Sequence, residues 1–228
     1  MSVWLSYTLT DFLLFTPHTY YRLFALYNLV VWPLHLLAGA LGIALLVLLF
    51  CGGAWRGRAI AAILAACWFW VAWAYFVERY DTINWAARYL AIAFAVQAAL
   101  LIVSGLVLNR FTPGTGPVNR AGAAIVAFAL LLQPLAAPLF GREWLQMEFF
   151  GIAPDPTVAA TIGALLAMRR AHVALLVIPL VWCALTGLTL WAMAAADAPL
   201  MPAIGVLALG FAVWKVLRCG GVVEGTSG

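Results

Sequence analysis

The sequence predicts an all-α protein, a polytopic transmembrane helix bundle of about seven spans that forms a single integral membrane domain over residues 1–228. Hydrophobic residues make up 67% of the chain and charged residues only 9%, against about a quarter charged in soluble domains. A bilayer core about 30 Å thick needs roughly 20 apolar residues per helix. The apolar runs between charges approach that length and leave no room for a separate soluble domain.

The N-terminal stretch "TLTDFLLFTPH", residues 8–18, is apolar but too short to span, and Pro17 interrupts it. We expect it to form a short interfacial helix along the outer membrane surface. The first residues lack a basic region and a small-residue cleavage site, so no removable signal peptide is expected.

Apolar runs predict spans near residues 24–50, 59–78, 85–108, 121–140, 156–168, 173–195 and 200–217. The fifth is the shortest, with Asp155 expected as N-cap, Pro156 as first helical residue, and Arg169 and Arg170 at its end. A short helix whose positive N-terminal end lies within the membrane is typical of transporter sites. A tilted neighbour packed over a short helix is the structural alternative.

The connections between spans, assigned alternately to two sides, separate the charges. One side receives Arg56, Arg58, Arg110, Arg120, Arg169, Arg170, Lys215 and Arg218. The positive-inside rule makes that side cytoplasmic, so the N-terminus is expected outside and the C-terminus in the cytoplasm. All carboxylates except Glu224 fall on the outer side. They could bind a cation, metal or amine, or simply solvate loops from which basic residues are excluded.

Polar residues recur on the first predicted span. Tyr21, Asn28 and His35 are spaced by seven, which puts them on one face of a helix that Pro33 could kink. We expect His35 near mid-membrane, where ionisable groups are costly and indicate function. A neutral imidazole hydrogen-bonded to one neighbour remains the structural alternative.

The stretch "CWFWVAWAYFVERYD", residues 67–81, is dense in aromatic rings. On an α-helix four of them share one face: Phe69, Trp73, Phe76 and Tyr80. Trp70 and Trp73 lie deeper than an interfacial aromatic belt, below a mouth that carries Glu78 and Asp81. These rings could bind a cation by cation–π attraction, or pack in the core.

Other charged and amide residues complete the candidate site. Arg88 should pair with Glu78, Asp81 or Glu148, Gln97 could hydrogen-bond between helices, and Lys215 is expected to snorkel to the cytoplasmic interface. The candidate substrate-binding residues are Tyr21, Asn28, His35, Trp70, Trp73, Glu78, Asp81, Arg88, Gln97, Glu148 and Asp155. Neither a catalytic residue, a metal ligand nor a cofactor is assigned.

Several chemistries lack sequence support. Cys51, Cys67, Cys183 and Cys219 are scattered singly, with no C-x-x-C spacing. No G-x-S-x-G, H-E-x-x-H, Walker or dinucleotide-binding glycine pattern occurs. Hydrolase, zinc-protease and nucleotide-binding functions are therefore unsupported, and a non-enzymatic function is favoured.

Three stretches, "YTLTDFLLFTPHTYYRLFALYN", "INWAARYLAIAFAVQAALL" and "EFFGIAPDPTVAATIGALL", resemble an uncharacterised family of bacterial inner-membrane proteins. The family is a domain of unknown function whose members are sometimes labelled permeases. The resemblance implies a multi-pass protein of the bacterial inner (cytoplasmic) membrane and supplies no functional residues.

Three hypotheses follow. The first is a transporter or channel-like permease for a small, cationic or polar solute, with a water-accessible cavity that reaches His35. The second is a non-catalytic subunit or assembly partner, marked by a packed interior and an apolar lateral groove. The third is an outer-face metal-binding enzyme that uses His18 or His35 with Glu78, Asp81, Glu148 and Asp155. The expected partners are the lipid bilayer, a solute, and a second copy or another membrane protein, but not nucleic acid.

Overall fold

The computed structural model describes residues 16–220, with side chains to residue 217. In this part of the chain every regular element is helical, apart from an isolated β-bridge between Pro113 and Met168. The all-α prediction is confirmed. The expected interfacial helix at residues 8–18 lies almost entirely outside the described residues.

The α-helices follow one another along the whole described chain. They are α1 (Pro17–Val31), α2 (Leu34–Phe50), α3 (Arg56–Trp70), α4 (Ala87–Leu101), α5 (Pro117–Leu131), α6 (Ala136–Leu139), α7 (Pro154–Ala167), α8 (Val173–Ala192) and α9 (Leu200–Gly220). π-Helical turns extend α3 (Val71–Val77) and α4 (Ile102–Val107), and 3₁₀ turns occur at Tyr80–Thr82 and Trp144–Gln146.

Four helical segments of the described chain are long and apolar enough to cross a membrane. They are Arg56–Thr82, Ala87–Val107, Val173–Ala192 and Leu200–Leu217, and a fifth results if α1 and α2 count as one broken span. These four match the second, third, sixth and seventh predicted spans. By contrast, α5 has 15 residues and α7 has 14, less than the roughly 20 that a bilayer core requires.

The kink predicted at Pro33 is found, and it divides the predicted span over residues 24–50 between two helices. The chain bends by 93° between α1 and α2. Trp32 adopts an extended conformation, with φ −61° and ψ 132°, because a following proline disfavours helical geometry, and Pro33 itself lacks an N–H to donate. As a result α1 lies across one end of the bundle, where it packs against the Trp144–Gln146 turn.

The predicted fourth span, 121–140, is also too long. Helix α5 ends at Leu131, and only the short α6 follows Pro134. Proline explains the break, since it removes a backbone donor and restricts the residue before it.

The two ends of the bundle carry opposite charge. The acidic end is the end that contains Glu78, Asp81, Glu143, Glu148, Asp155 and Asp197, which are all the described carboxylates. The basic end contains Arg56, Arg110, Arg169, Arg170 and Lys215. This separation matches the two sides that the sequence predicts.

Helix α7 is the centre of the bundle, because all its residues are buried among α3, α5, α8 and α9. The carbonyl groups at its C-terminal end need donors within the protein. The Asn119 side-chain amide donates to the carbonyl oxygens of Leu166, Ala167 and Met168. The Lys215 ammonium donates to those of Leu166 and Met168. Lys215 is only 7% exposed, so the predicted snorkelling is wrong.

The aromatic run does not form a single face. Phe69 and Trp73 are 63% and 51% exposed, whereas Phe76 is 0% exposed. The π-helical stretch Val71–Val77 bonds i to i+5 and so rotates the later side chains away from the α-helical stripe. Phe69 and Trp73 therefore face outward, while Phe76 and Tyr80 pack inside against other rings.

Candidate functional site

Asp155 lies buried in the first turn of α7. The helix begins with Pro154, and its N-cap is Ala153 rather than the predicted Asp155. Prolines fit this first turn because its N–H groups have no helical acceptors. The Asp155 carboxylate accepts hydrogen bonds from the Trp182 indole N–H at 2.7 Å and from the Thr186 hydroxyl at 3.2 Å, both on α8.

Arg142 joins two further carboxylates beside Asp155. Its guanidinium nitrogens lie 3.2 Å from a Glu148 oxygen and 2.7 Å from an Asp197 oxygen. The Arg142 side chain is 9% exposed, and its guanidinium carbon lies 4.9 Å from the centre of the Tyr21 ring. We call Arg142, Glu148, Asp155 and Asp197 the carboxylate cluster.

The cluster surrounds a cavity of about 10 Å³ that Gln133 also lines. That volume holds about one water molecule, so the site accepts a proton or a very small species and not an organic solute. Three buried polar atoms here have no hydrogen-bond partner within the described residues: Arg142 Nε, Glu148 Oε2 and Gln133 Oε1. The residues that carry these three atoms all line the space of one-water size.

The electrostatics of the cluster favour proton binding. Three carboxylates face a single guanidinium, so complete ionisation would leave net negative charge in a buried site. Burial, followed by repulsion from Asp155, raises the pKa of Glu148 from 4.5 to about 8 against the opposing effect of Arg142. Both effects favour the protonated form of Glu148 in the folded protein.

This assignment predicts a pH dependence of stability that Glu148→Gln removes. Between pH 4.5 and about 8 the folded protein keeps a proton on Glu148 that the unfolded chain has released. The bound proton therefore stabilises the folded protein fully below pH 4.5. This stabilisation is lost as pH rises towards about 8, by up to about 1.4 kcal/mol per pH unit. Apparent melting temperatures across this range measure the slope.

Glu143→Gln is the matched control, because Glu143 is exposed in the same loop. It should keep the wild-type slope. An unchanged slope in Glu148→Gln would contradict the assignment of the proton to Glu148.

The bend between α1 and α2 brings Asn28 and His35 together. The His35 Nε2 atom lies 3.1 Å from the Asn28 side-chain oxygen, and the Asn28 amide donates to the carbonyls of Leu145 and Met147, both at 2.8 Å. The His35 ring packs edge-on against Phe149. His35 thus lies in the first turn of α2 beside the loop of the acidic end, in a structural contact rather than at the carboxylate cluster.

Trp70, Trp73 and Glu78 line a groove between the α1–α2 bend and α3. Its volume is about 600 Å³, and its walls are mostly apolar. The Trp70 indole donates to the Tyr27 hydroxyl at 3.2 Å, and Trp73 packs edge-on against Trp70. His35 is not among the described residues that line this groove, so the groove is not the cavity expected to reach that histidine.

The remaining predicted residues lie apart from both features. Arg88 and Asp81 form a two-pronged ion pair at 3.0–3.1 Å, as one of the predicted pairings proposed. The Arg88 side chain is 76% exposed, so the pair belongs to the surface. Gln97 is buried and donates to the Leu175 carbonyl at 3.0 Å, as expected of an interhelical contact.

The metal-enzyme hypothesis requires three or more ligands to converge. Within residues 16–220 no group of three His, Cys, Asp or Glu side chains is placed to hold a metal ion. The convergence of His18 or His35 with the outer carboxylates is therefore not found in that part of the chain.

Of the cluster, the sequence identified Glu148 and Asp155 but not Arg142 and Asp197, nor the supporting Trp182, Thr186 and Gln133. These residues come from four connections or helices, and their contacts span up to 68 positions along the chain. The available signal was that Arg142 is one of few basic residues among the outer acids.

Comparison with known proteins gives a family and no function. No curated protein and no solved structure matches the chain. The model of DUF6064, a family of unknown function, matches residues 17–220. This agrees with the resemblance to an uncharacterised family, and the chain belongs to the DUF6064 family.

Proposed function

We propose that the chain is a transport protein of the bacterial inner membrane that moves a small cationic or polar solute and couples this movement to protonation of the carboxylate cluster. The observation that carries the proposal is the buried cluster, in which Arg142 pairs with Glu148 and Asp197 beside Asp155. Three polar atoms there have no hydrogen-bond partner among the described residues. Intramembrane ionisable groups of this kind form proton relays in pumps and transporters.

The position of the cluster supports the proposal. It lies at the N-terminus of α7, a fully buried helix of 14 residues. Short helices whose N-terminal ends lie at depth are typical of binding sites in secondary transporters. A proton on Glu148 could leave when a cation approaches the acidic end, which would exchange one positive charge for another.

In the proposed topology, α2, α3, α4, α5, α7, α8 and α9 make seven crossings and α1 lies along the outer interface. The basic end is cytoplasmic by the positive-inside rule, and the acidic end faces outward. The bilayer would thin around α5 and α7, or their flanking loops would enter it.

Solute jumps on proteoliposomes that enclose a pH-sensitive dye test this proposal. The panel should include amines, amino acids, sugars, metal ions and anions. We expect one class to drive proton movement in the wild type and in Glu143→Gln, and not in Glu148→Gln. Equal proton movement in Glu148→Gln, or none with any class, would contradict proton-coupled transport.

A second candidate is a membrane subunit or assembly partner. The packed interior around α7 and the apolar groove beside Trp70 and Trp73 favour it. For such a subunit, we expect no solute of the panel to drive proton movement. The stability of the wild type and its Glu148-dependent change with pH should still be observed.

A further inference from the structure

A second large cavity lies at the basic end, between the α4–α5 and α7–α8 connections. Its volume is about 870 Å³. The polar residues that line it are Asn109, Arg110, Thr112, Arg169, Arg170 and His172. This is far larger than the one-water cavity of the carboxylate cluster, and three of its lining residues are arginines.

Backbone contacts hold the two walls of the cavity together. The Arg169 N–H donates to the Thr112 carbonyl at 2.7 Å, and the Gly114 N–H donates to the Ala167 carbonyl at 2.9 Å. Pro113 and Met168 form the β-bridge between these bonds. The arginines therefore project from paired backbone and not from two independent loops.

The cavity carries positive charge that no carboxylate of residues 16–217 neutralises. Arg110, Arg169 and Arg170 make no ion pair within the described chain, and its carboxylates all lie at the acidic end. Helix α8 begins at Val173, immediately after His172, so its positive dipole end adds to the field.

The pKa of His172 is sensitive to this positive charge. Burial, then the charges of Lys215, Arg110 and Arg170, lower its pKa. Its buried Nε2 atom has no hydrogen-bond partner among the described residues. The site thus disfavours additional positive charge and offers an unused polar atom beside the three guanidinium groups.

We propose that this cavity binds a phosphate group, carried either by an anionic phospholipid or by free phosphate. Guanidinium groups match phosphate geometry with paired hydrogen bonds. Basic pockets between helices on the cytoplasmic side also hold phospholipid headgroups. The positive-inside rule explains why arginines occur at this end, but not why three of them line one cavity with no carboxylate among its described lining residues.

The cavity borders a surface suited to lipid. Leu108 lines the cavity, and its chain neighbour Val107 and the residue after His172, Val173, are also exposed apolar side chains. Acyl chains could lie along these side chains while the headgroup phosphate reaches the arginines. The lipid source depends on the proposed membrane location, whereas binding of free phosphate does not.

Binding to the purified full-length chain tests the site with two probes. The first is phosphatidylglycerol, measured by native mass spectrometry against phosphatidylcholine, and the second is inorganic phosphate, measured by the shift in apparent melting temperature. We expect Arg110→Gln, Arg169→Gln and Arg170→Gln each to weaken binding about tenfold, as loss of a charge-assisted hydrogen bond predicts. Arg58→Gln is the matched control, since Arg58 is exposed on the first turn of α3 and does not line the cavity.

The two binding measurements distinguish a lipid headgroup from free phosphate. Arginine-dependent binding of phosphatidylglycerol alone supports a lipid headgroup site, and arginine-dependent binding of inorganic phosphate supports a site for soluble phosphate. Equal losses in Arg58→Gln would show general surface attraction and overturn the proposal, as would the absence of binding by either probe. Neither result depends on the Glu148 transport assay, so the two proposals fail independently.

Discussion

Arg142→Met is expected to destabilise the protein by about 3–5 kcal/mol, the usual effect of removing one partner from a buried ion pair. The Arg142 side chain is 9% exposed and contacts both Glu148 and Asp197. Methionine fills part of the space but leaves the buried Asp197 carboxylate without its cation and Glu148 without its hydrogen-bond donor. In a chain of this length the change should lower the apparent melting temperature by on the order of 10 °C.

Two variants make this prediction specific to the buried cluster. Arg88→Met removes an ion pair whose arginine is 76% exposed, so it should change stability little, because water and salt screen such pairs. Asp197→Asn in the Arg142→Met background removes one of the stranded charges and should restore part of the stability. Similar losses in Arg88→Met and Arg142→Met would contradict a special role for the cluster.

Lower pH should also rescue Arg142→Met in part. Arg142 opposes the rise in the pKa of Glu148, so a deprotonated Glu148 costs more in the variant, whereas a neutral carboxyl group is much less costly to bury. The stability difference between variant and wild type is therefore expected to shrink as pH falls. Melting temperatures across the pH range measure this difference directly.

The sequence predicted helices best where a local signal coincided with a physical boundary. The prolines at 154 and 156 and the arginines at 169 and 170 bracket α7 to within two residues. The length of the apolar runs likewise located α8 and residues 200–217 of α9, because a helix that crosses an apolar medium needs a continuous hydrophobic sequence. These features depend on nearby residues alone.

The bend after α1 required information that is not local. Pro33 signalled a break, but the direction of α1 depends on packing of Tyr20, Phe24 and Tyr27 against Tyr75 and Tyr80, more than 40 residues away. The π-helical turns after α3 similarly changed which rings face inward. Helical spacing could not predict either feature.

The candidate site was predicted only in part for the same reason. Glu148 and Asp155 stood out as acids at the outer end, but a charge pattern does not say which acids share a cation. Asp197 reaches Arg142 across 55 positions, through connections whose geometry follows from helix packing. By contrast, Arg88 pairs with Asp81, only seven residues away, and a pairing this local can be predicted from the sequence.

Gly163→Ala should strongly disrupt the contact between α5 and α7. A methyl group at Gly163 of α7 would lie 2.6 Å from the Gly122 carbonyl oxygen and 2.8 Å from the Val126 nitrogen, both on α5. These are backbone atoms, so no side-chain rotation relieves the contact and the two helices must separate. We expect a loss of about 3 kcal/mol, at the upper end of typical overpacking effects.

Gly210→Ala is the control, because a methyl group there has no neighbour within 4 Å and alanine favours the helix by about 0.5–1 kcal/mol. It should leave the apparent melting temperature unchanged or slightly higher. Equal effects of the two substitutions would contradict close backbone contact between α5 and α7.

The pH dependence of stability distinguishes a packing defect from an electrostatic one. Asp155 lies two helical turns from Gly163, and Arg142 is positioned by other connections. Gly163→Ala should therefore lose stability and keep the slope, whereas Glu148→Gln should lose the slope, because helix contact and proton binding rest on different residues.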